Sequence, residues 1–267
     1  MKDKVVLVTG SATGIGAECA YRAAERGARV VVNYSRSADA AMATAERIGA
    51  LGGDVRVEHC DVADEASVKQ MVESIESSWG AVDVLVNNAG YTSFVDFADL
   101  DGMTDEIWKR TMDVNLMGTW HCSKAVAPGM RRAGGAIVNI SSVGGIRADG
   151  SSIAYVVSKA AINTLTVALA RALAPNIRVN AVAAGFVQTR WWEKGGSTST
   201  DEVDALAAQM AATMPLQTVG QPEDIADAVL WFAEHARTVT AQTLIVDSGL
   251  HLGMKAKAFS DNTQESR

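Results

Sequence analysis

Seven short runs rich in β-branched apolar residues, at 5–8, 29–32, 55–57, 82–86, 136–140, 177–182 and 243–246, alternate with longer stretches of helical composition. The latter lie at 15–26, 38–51, 65–79, 105–130, 153–174 and 223–234. Strands without polar alternation must be covered on both faces, and repeated strand–helix alternation is satisfied by a parallel sheet wound with helices on its two sides. The expectation is one doubly wound α/β domain over residues 1–253 with about seven parallel strands, because α/β chains of 267 residues commonly fold around one continuous sheet. The rhythm breaks at 189–214, where two tryptophans, a Gly-Gly pair and a Ser/Thr cluster precede a short amphipathic stretch. A connection this long is usually functional, and after the penultimate strand it is expected to form a substrate lid. The polar segment 254–267 reads as a frayed tail.

Composition narrows the function. Hydrophobic residues make up 48% of the chain, enough for a sizeable core. The formal charge of −7 argues against broad attraction to nucleic-acid phosphates or an anionic membrane, so the expected partner is a small molecule. Cys19, Cys60 and Cys122 are widely spaced and read as thiols in a reducing compartment, not as a disulfide framework or a zinc site. His59, His121, His235 and His251 lack ligand spacing, so no metal is expected. With no secretory signal pattern and no apolar run of about 18 residues, a soluble cytoplasmic protein is expected.

Directly after the first strand comes the glycine turn TGSATGIG, residues 9–16, with a helix pattern starting inside it. Glycines at a strand-to-helix turn let the backbone approach a pyrophosphate, and the helix N-terminus offers free N–H groups and a favourable dipole. The turn therefore predicts a dinucleotide cradle on a Rossmann-type fold.

The spacing G-x-x-x-G-x-G resembles the short-chain dehydrogenase/reductase family, and further motifs follow in that family's order. These are Asp61 in CDV, Asn87-Asn88-Ala89-Gly90, Asn115 in DVNLMG, Ser141-Ser142, and Tyr155-Val-Val-Ser-Lys159. Tyr155 and Lys159 are four apart in a helical pattern and so share a face. A phenol with a pKa of about 10 is a poor base at neutral pH, and a nearby ammonium is expected to favour the phenolate. The resemblance implies an NAD(P)H-dependent oxidoreductase that interconverts a ketone and a secondary alcohol by direct hydride transfer, with Tyr155 as general acid/base. It gives Ser142 a hydrogen bond to the substrate oxygen, with Ser141 as its rival, and Lys159 a bond to the nicotinamide ribose. Asn115 is given a proton-relaying water.

For the cofactor, the same resemblance implies contacts from Gly10, Ser11, Thr13, Gly14, Ile15 and Gly16. Further along, Asp61 and Val62 flank the adenine, Asn87, Ala89 and Gly90 line the cleft, and Gly185, Val187 and Thr189 lie at the carboxamide end. After the second strand, Tyr34 stands in the slot where NAD enzymes carry an acid, followed by Ser35 and Arg36, which can receive a 2′-phosphate. NADP(H) is thus favoured, with NAD(H) as the second option. Thr92, Phe94, Gly145, Ile146, Phe186, Trp191 and Trp192 are the substrate-pocket candidates, and their aromatic share suggests an apolar or aryl-bearing substrate. Within the family the chain is most similar to 3-oxoacyl-carrier-protein reductases and glucose dehydrogenases, and a homotetramer is implied by analogy. The competing readings are a non-catalytic NADP-binding sensor, which generally lacks the tyrosine or lysine, and a sugar-nucleotide epimerase, which the glycine spacing disfavours.

Overall fold

A computed structural model of the chain describes residues 1–195 and 199–253. The tail 254–267 and part of the expected lid, 196–198, lie outside the described residues. Seven strands form one sheet: β1 (Val5–Val8), β2 (Arg29–Tyr34), β3 (Val55–His59), β4 (Val84–Asn87), β5 (Gly135–Ser142), β6 (Ile177–Ala184) and β7 (Thr243–Val246). Every neighbouring pair is parallel, in the order β3-β2-β1-β4-β5-β6-β7. The order reverses between β1 and β4, and in such sheets the crevice beyond the strands' carboxyl ends at that switch is where ligands bind.

Strand parity divides the core into two layers. Val6, Val8, Val30, Val32, Val84 and Val86 face one cluster. It is shared with helices α1 (Gly14–Glu25), α2 (Ala38–Gly49) and α9 (Pro222–Glu234). Val5, Leu7, Val31, Leu85 and Ile137 face the other, against α3 (Glu65–Trp79), α5 (Gly118–Ala133) and α7 (Ile153–Leu173). Residues i and i+2 share a face of a strand, so valine and leucine at every position bury both sides of the sheet.

The helix expected over 105–130 is not uniform. It runs as α4 (Asp105–Met112), a π turn at Asp113–Met117, and then α5. The expected lid contains a 3-10 turn at Arg190–Gly195 and the helix α8 (Thr200–Thr213), which Ser199 and Glu202 start with a reciprocal capping box. It has its own small core, in which Ala207, Met214 and Val219 pack with Phe186 and Trp192. Among the described residues α7 is the one helix long and apolar enough to cross a bilayer. Here it packs against β5 and β6.

Candidate active site

The glycine turn is fixed from both flanking strands. Gly10 N–H donates to Asn33 Oδ1 (3.0 Å) and Ser11 N–H to Asn33 O (2.9 Å). Thr9 Oγ1 accepts from the N–H groups of Asn88 (3.0 Å) and Ala89 (3.1 Å), and Asn88 Nδ2 donates back to the carbonyls of Thr9 and Gly10, both at 2.9 Å. Gly10 has φ +60°, and a Cβ there would stand 2.8 Å from Ala89 Cα. Only glycine fits so close a backbone crossing in the left-handed region. Helix α1 begins at Gly14 with Thr13 as N-cap, and the Thr13 side chain makes no capping bond. The first-turn N–H groups therefore face the cleft without a side-chain acceptor, which suits a phosphate.

This cradle is one end of a cleft of about 810 Å³, also lined by Ile15, by Tyr34, Ser35 and Arg36, and by Asp61 and Val62. Tyr34 is packed edge-on against His59 (5.3 Å between centroids), whereas Ser35 and Arg36 are exposed at the rim. Asp61 is held by Arg110 Nη2 (3.1 Å) and by Ala63 N–H (3.0 Å). Ala89, Gly90, Gly185, Val187 and Thr189 line the same cleft further along. Its length, glycine floor and mixed apolar and polar walls fit a dinucleotide.

At the other end, Ser142 closes β5 and Tyr155 and Lys159 project from α7. Gly145 brings them together: a Cβ there would lie 2.6 Å from Ala160 N and Lys159 C, so the short helix α6 (Gly144–Arg147) lies directly on the α7 backbone. Ser152 caps α7, its hydroxyl accepting from Tyr155 N–H (3.3 Å). Ser142 Oγ accepts from Gly144 N–H (3.1 Å) and lies near enough to the Tyr155 hydroxyl to lower its pKa. The Ser141 hydroxyl is turned back onto Lys159 O (3.2 Å).

The expected lowering of the phenol is not what this site does. Burial pushes Tyr155 up to about 12, with the Ser142 hydroxyl acting against that rise. Burial also lowers Lys159 to about 8. Its Nζ donates to Ile140 O (2.8 Å) and stands over the Tyr155 ring, 5.7 Å from the centroid. The desolvation that disfavours the ammonium disfavours the phenolate as well. Two of the three ammonium protons remain for other acceptors.

Several expected site residues stand elsewhere. Asn87 does not line the cleft; its Nδ2 donates to Ser123 Oγ and Asn139 Oδ1 behind the sheet, and Asn88 takes the place at the cleft. Ser11 is buried, donating to Val8 O (2.7 Å), and Gly16 packs beneath the Asn88 side chain, so neither faces the cofactor space. Gly145 is a packing glycine, not a pocket wall, and Ile146 points outward, 48% exposed. Thr92 bonds Ser151 Oγ (2.6 Å) behind the lining, and Phe94 supports Trp192 at 6.1 Å instead of facing the cleft. Phe186, Trp191 and Trp192 do line it.

Asn115 lies in the π turn and is fully buried away from the cleft. Its Oδ1 accepts from Tyr91 N–H (2.7 Å), and its Nδ2 donates to Tyr91 O (3.0 Å) and Ser158 Oγ (2.9 Å). Ser158 Oγ in turn donates to Tyr155 O (2.7 Å), so Asn115 ties the end of β4 to the helix bearing the tyrosine.

A family model described as enoyl-(acyl carrier protein) reductase matches residues 10–251. The chain belongs to the short-chain dehydrogenase/reductase family. It is 41% identical over 249 residues, 93% of this chain and 96% of the relative, to a Streptomyces violaceoruber protein named as ketoacyl reductase 2 of the granaticin polyketide synthase. It is 40% identical over 255 residues (93% and 98%) to the 3-oxoacyl-[acyl-carrier-protein] reductase FabG of Staphylococcus aureus. Among solved structures, a short-chain dehydrogenase/reductase from Burkholderia xenovorans superimposes with a TM-score of 0.86 at 35% identity, covering 94% of this chain and 98% of that one. The ligand-free aldohexose dehydrogenase of Thermoplasma acidophilum does so at 0.83 and 32%, covering 96% and 97%. As a short-chain dehydrogenase/reductase, the protein is an oxidoreductase that works with a nicotinamide cofactor.

Proposed function

We propose that this short-chain dehydrogenase/reductase is a carbonyl reductase that prefers NADPH and converts a ketone to a secondary alcohol. The observation that carries the reading is the convergence of Ser142, Tyr155 and Lys159 at the closed end of a cleft whose other end is the glycine cradle. The bound cofactor supplies the hydride for the carbonyl carbon. Ser142 Oγ, oriented by Gly144 N–H, holds the substrate oxygen beside the Tyr155 hydroxyl, and Tyr155 gives its proton to that oxygen as charge develops there. A phenol held up to about 12 is protonated throughout the neutral range, the form that can donate to the substrate oxygen. Lys159 is the charge that offsets the resulting phenolate, and it is present below about pH 8.

Both Asn115 amide protons are taken by Tyr91 O and Ser158 Oγ and the side chain is buried away from the cleft, so the relaying water is assigned to its backbone carbonyl. That carbonyl lies in the π turn and accepts from Thr119 Oγ1 (2.7 Å). Ser35 and Arg36, exposed at the rim with no acid in the Tyr34 slot, support recognition of a 2′-phosphate. The aromatic wall of Phe186 and Trp191 favours an apolar or aryl-bearing ketone, and the relatives' names put 3-oxoacyl chains among the first to offer. The homotetramer expected by analogy is supported by exposed Met117, Trp120, Val157 and Val167 along the π turn, α5 and α7.

The test is consumption of NADPH or NADH, read at 340 nm, over a panel of aryl ketones, 3-oxoacyl thioesters, sugars and quinones. Turnover that falls about 10²–10⁴-fold in Tyr155→Phe supports the assignment. Full turnover in that variant removes Tyr155 from proton transfer.

A further inference from the structure

Two places along the cleft suit a phosphate, and one hydrogen-bonded frame joins them. The first is the glycine cradle at the end of β1, and the second is the rim at the end of β2, where Ser35 and Arg36 stand exposed. Asn33 is buried between the two. Its Oδ1 accepts from Gly10 N–H (3.0 Å) of the cradle, and its Nδ2 donates across the sheet to the carbonyls of Glu58 and Cys60, both at 3.2 Å. Those carbonyls flank His59, the last residue of β3, which stands in register with Tyr34. From there the His59 ring reaches back over β2. It meets the Tyr34 ring edge-on at 5.3 Å, and its Nε2 lies 3.2 Å from Ser35 O. A carbonyl oxygen only accepts, so the ring carries a proton on Nε2 and donates it there. His59 does not line the cleft, whereas Tyr34, Ser35 and Arg36 do.

We propose that His59 is a positioning residue for cofactor choice: it holds the segment from Tyr34 to Arg36 so that Ser35 and Arg36 meet the 2′-phosphate of NADP(H) at a fixed distance from the pyrophosphate cradle. This rests on the cofactor preference proposed above and deepens it. The segment needs such a hold, because Ser35, Arg36 and Ser37 are all exposed and Ser37, the N-cap of α2, makes no side-chain capping bond. Ordering a loop at the moment of binding subtracts from affinity, and a contact that orders it beforehand removes that cost. NAD(H) carries only a hydroxyl at the ribose 2′ carbon and offers Arg36 no charge to meet, so its affinity depends little on where this segment sits. Tyr34 and His59 thus have complementary parts. The first puts no carboxylate where a phosphate would be repelled, and the second fixes the donors beside it.

The experiment measures the dissociation constants of NADP⁺ and NAD⁺ by calorimetry for the wild type, His59→Ala, His59→Phe and His59→Gln. Loss of one exposed hydrogen bond and one edge-on ring contact is expected to weaken NADP⁺ binding about two- to tenfold in His59→Ala and to leave NAD⁺ binding unchanged. His59→Phe keeps the ring contact without the donor, and His59→Gln keeps a donor without the ring, so each is expected to fall between wild type and His59→Ala. Unchanged NADP⁺ affinity in His59→Ala overturns the role, and so does a loss equal for NADP⁺ and NAD⁺, which marks a general part in the fold; both outcomes leave the cofactor preference standing. A wild type that binds NADP⁺ no more tightly than NAD⁺ overturns that preference, and this role with it.

Discussion

The two walls of the cleft are built in different ways. The cradle wall, from Thr9 to Gly16 with Asn88 above it, is backbone held by backbone and by short amides: Asn33 and Thr9 fix the turn, and Gly10 crosses Ala89 where no side chain fits. The lid wall, around Phe186, Trp192 and Met214, is side chains packed on side chains, with Trp192 stacked on Phe186 over a small core of its own. A wall made of main chain can serve one kind of ligand, a diphosphate, whatever else the protein does. A wall made of interchangeable side chains can be rebuilt for another substrate without disturbing the sheet.

That contrast is open to measurement. The largest effect is expected from Gly10→Ala, which puts a Cβ 2.8 Å from Ala89 Cα at φ +60°. Left-handed strain and overpacking together cost about 2–4 kcal/mol of unfolding free energy, read by denaturant titration, with cofactor affinity falling in parallel. A Gly10→Ala protein of wild-type stability would falsify the main-chain account of this wall. Next is Lys159→Met. The lysine is lowered from 10.5 to about 8 by burial, so the unfolded chain binds more protons between those values and wild-type stability rises with pH across that window. Below pH 8 the buried ammonium is a burden, and its removal is expected to raise stability by about 1–3 kcal/mol at pH 7 while reductase turnover is lost. The corresponding rate profile of the wild type falls as pH rises through about 8. A variant less stable than wild type at pH 7 would show that the Ile140 carbonyl bond outweighs desolvation.

Smaller effects are expected on the lid. Trp192→Ala removes the Phe186 stack and is expected to raise KM for the ketone about tenfold while barely shifting the global melt, since that core is separate from the two layers of the sheet. A melt lowered as much as in Gly10→Ala would erase the contrast between the walls. The smallest is Arg36→Ala, where loss of one exposed charge is expected to raise KM for NADPH a few-fold, about 1 kcal/mol, and to leave KM for NADH unchanged. Equal changes for both would remove Arg36 from phosphate recognition.

The sheet and the placing of the proposed catalytic trio at one end of the cleft are legible in the sequence because each depends on spacing along one element. Tyr155 and Lys159 are one helical turn apart, and Ser142 ends a strand that pairs residue for residue with β6. Asn87 was misplaced although the needed signal was present: it shares strand parity with Leu85, which faces α5, and so cannot face the cleft. Ser11 and Gly145 depend on contacts across more than 20 and about 15 positions, Asn33 bonding the one and Ala160 lying against the other. No local pattern announces such contacts. Trp191 meets the Tyr155 ring and Trp192 the Phe186 ring because a 3-10 turn points adjacent side chains apart, and a pair of identical letters carries no sign of it.

The π turn at Asp113–Met117 makes the catalytic end sensitive to chain length as well as to chemistry. A π turn holds one residue more than the α-helical turn it replaces, and one residue turns a helix by about 100°. Deleting a single residue there would let α4 and α5 join as one regular helix and still swing Asn115 away from Tyr91 and Ser158. Sequence drift in this stretch is therefore free to change letters on the outer face, but insertions and deletions are closed to it.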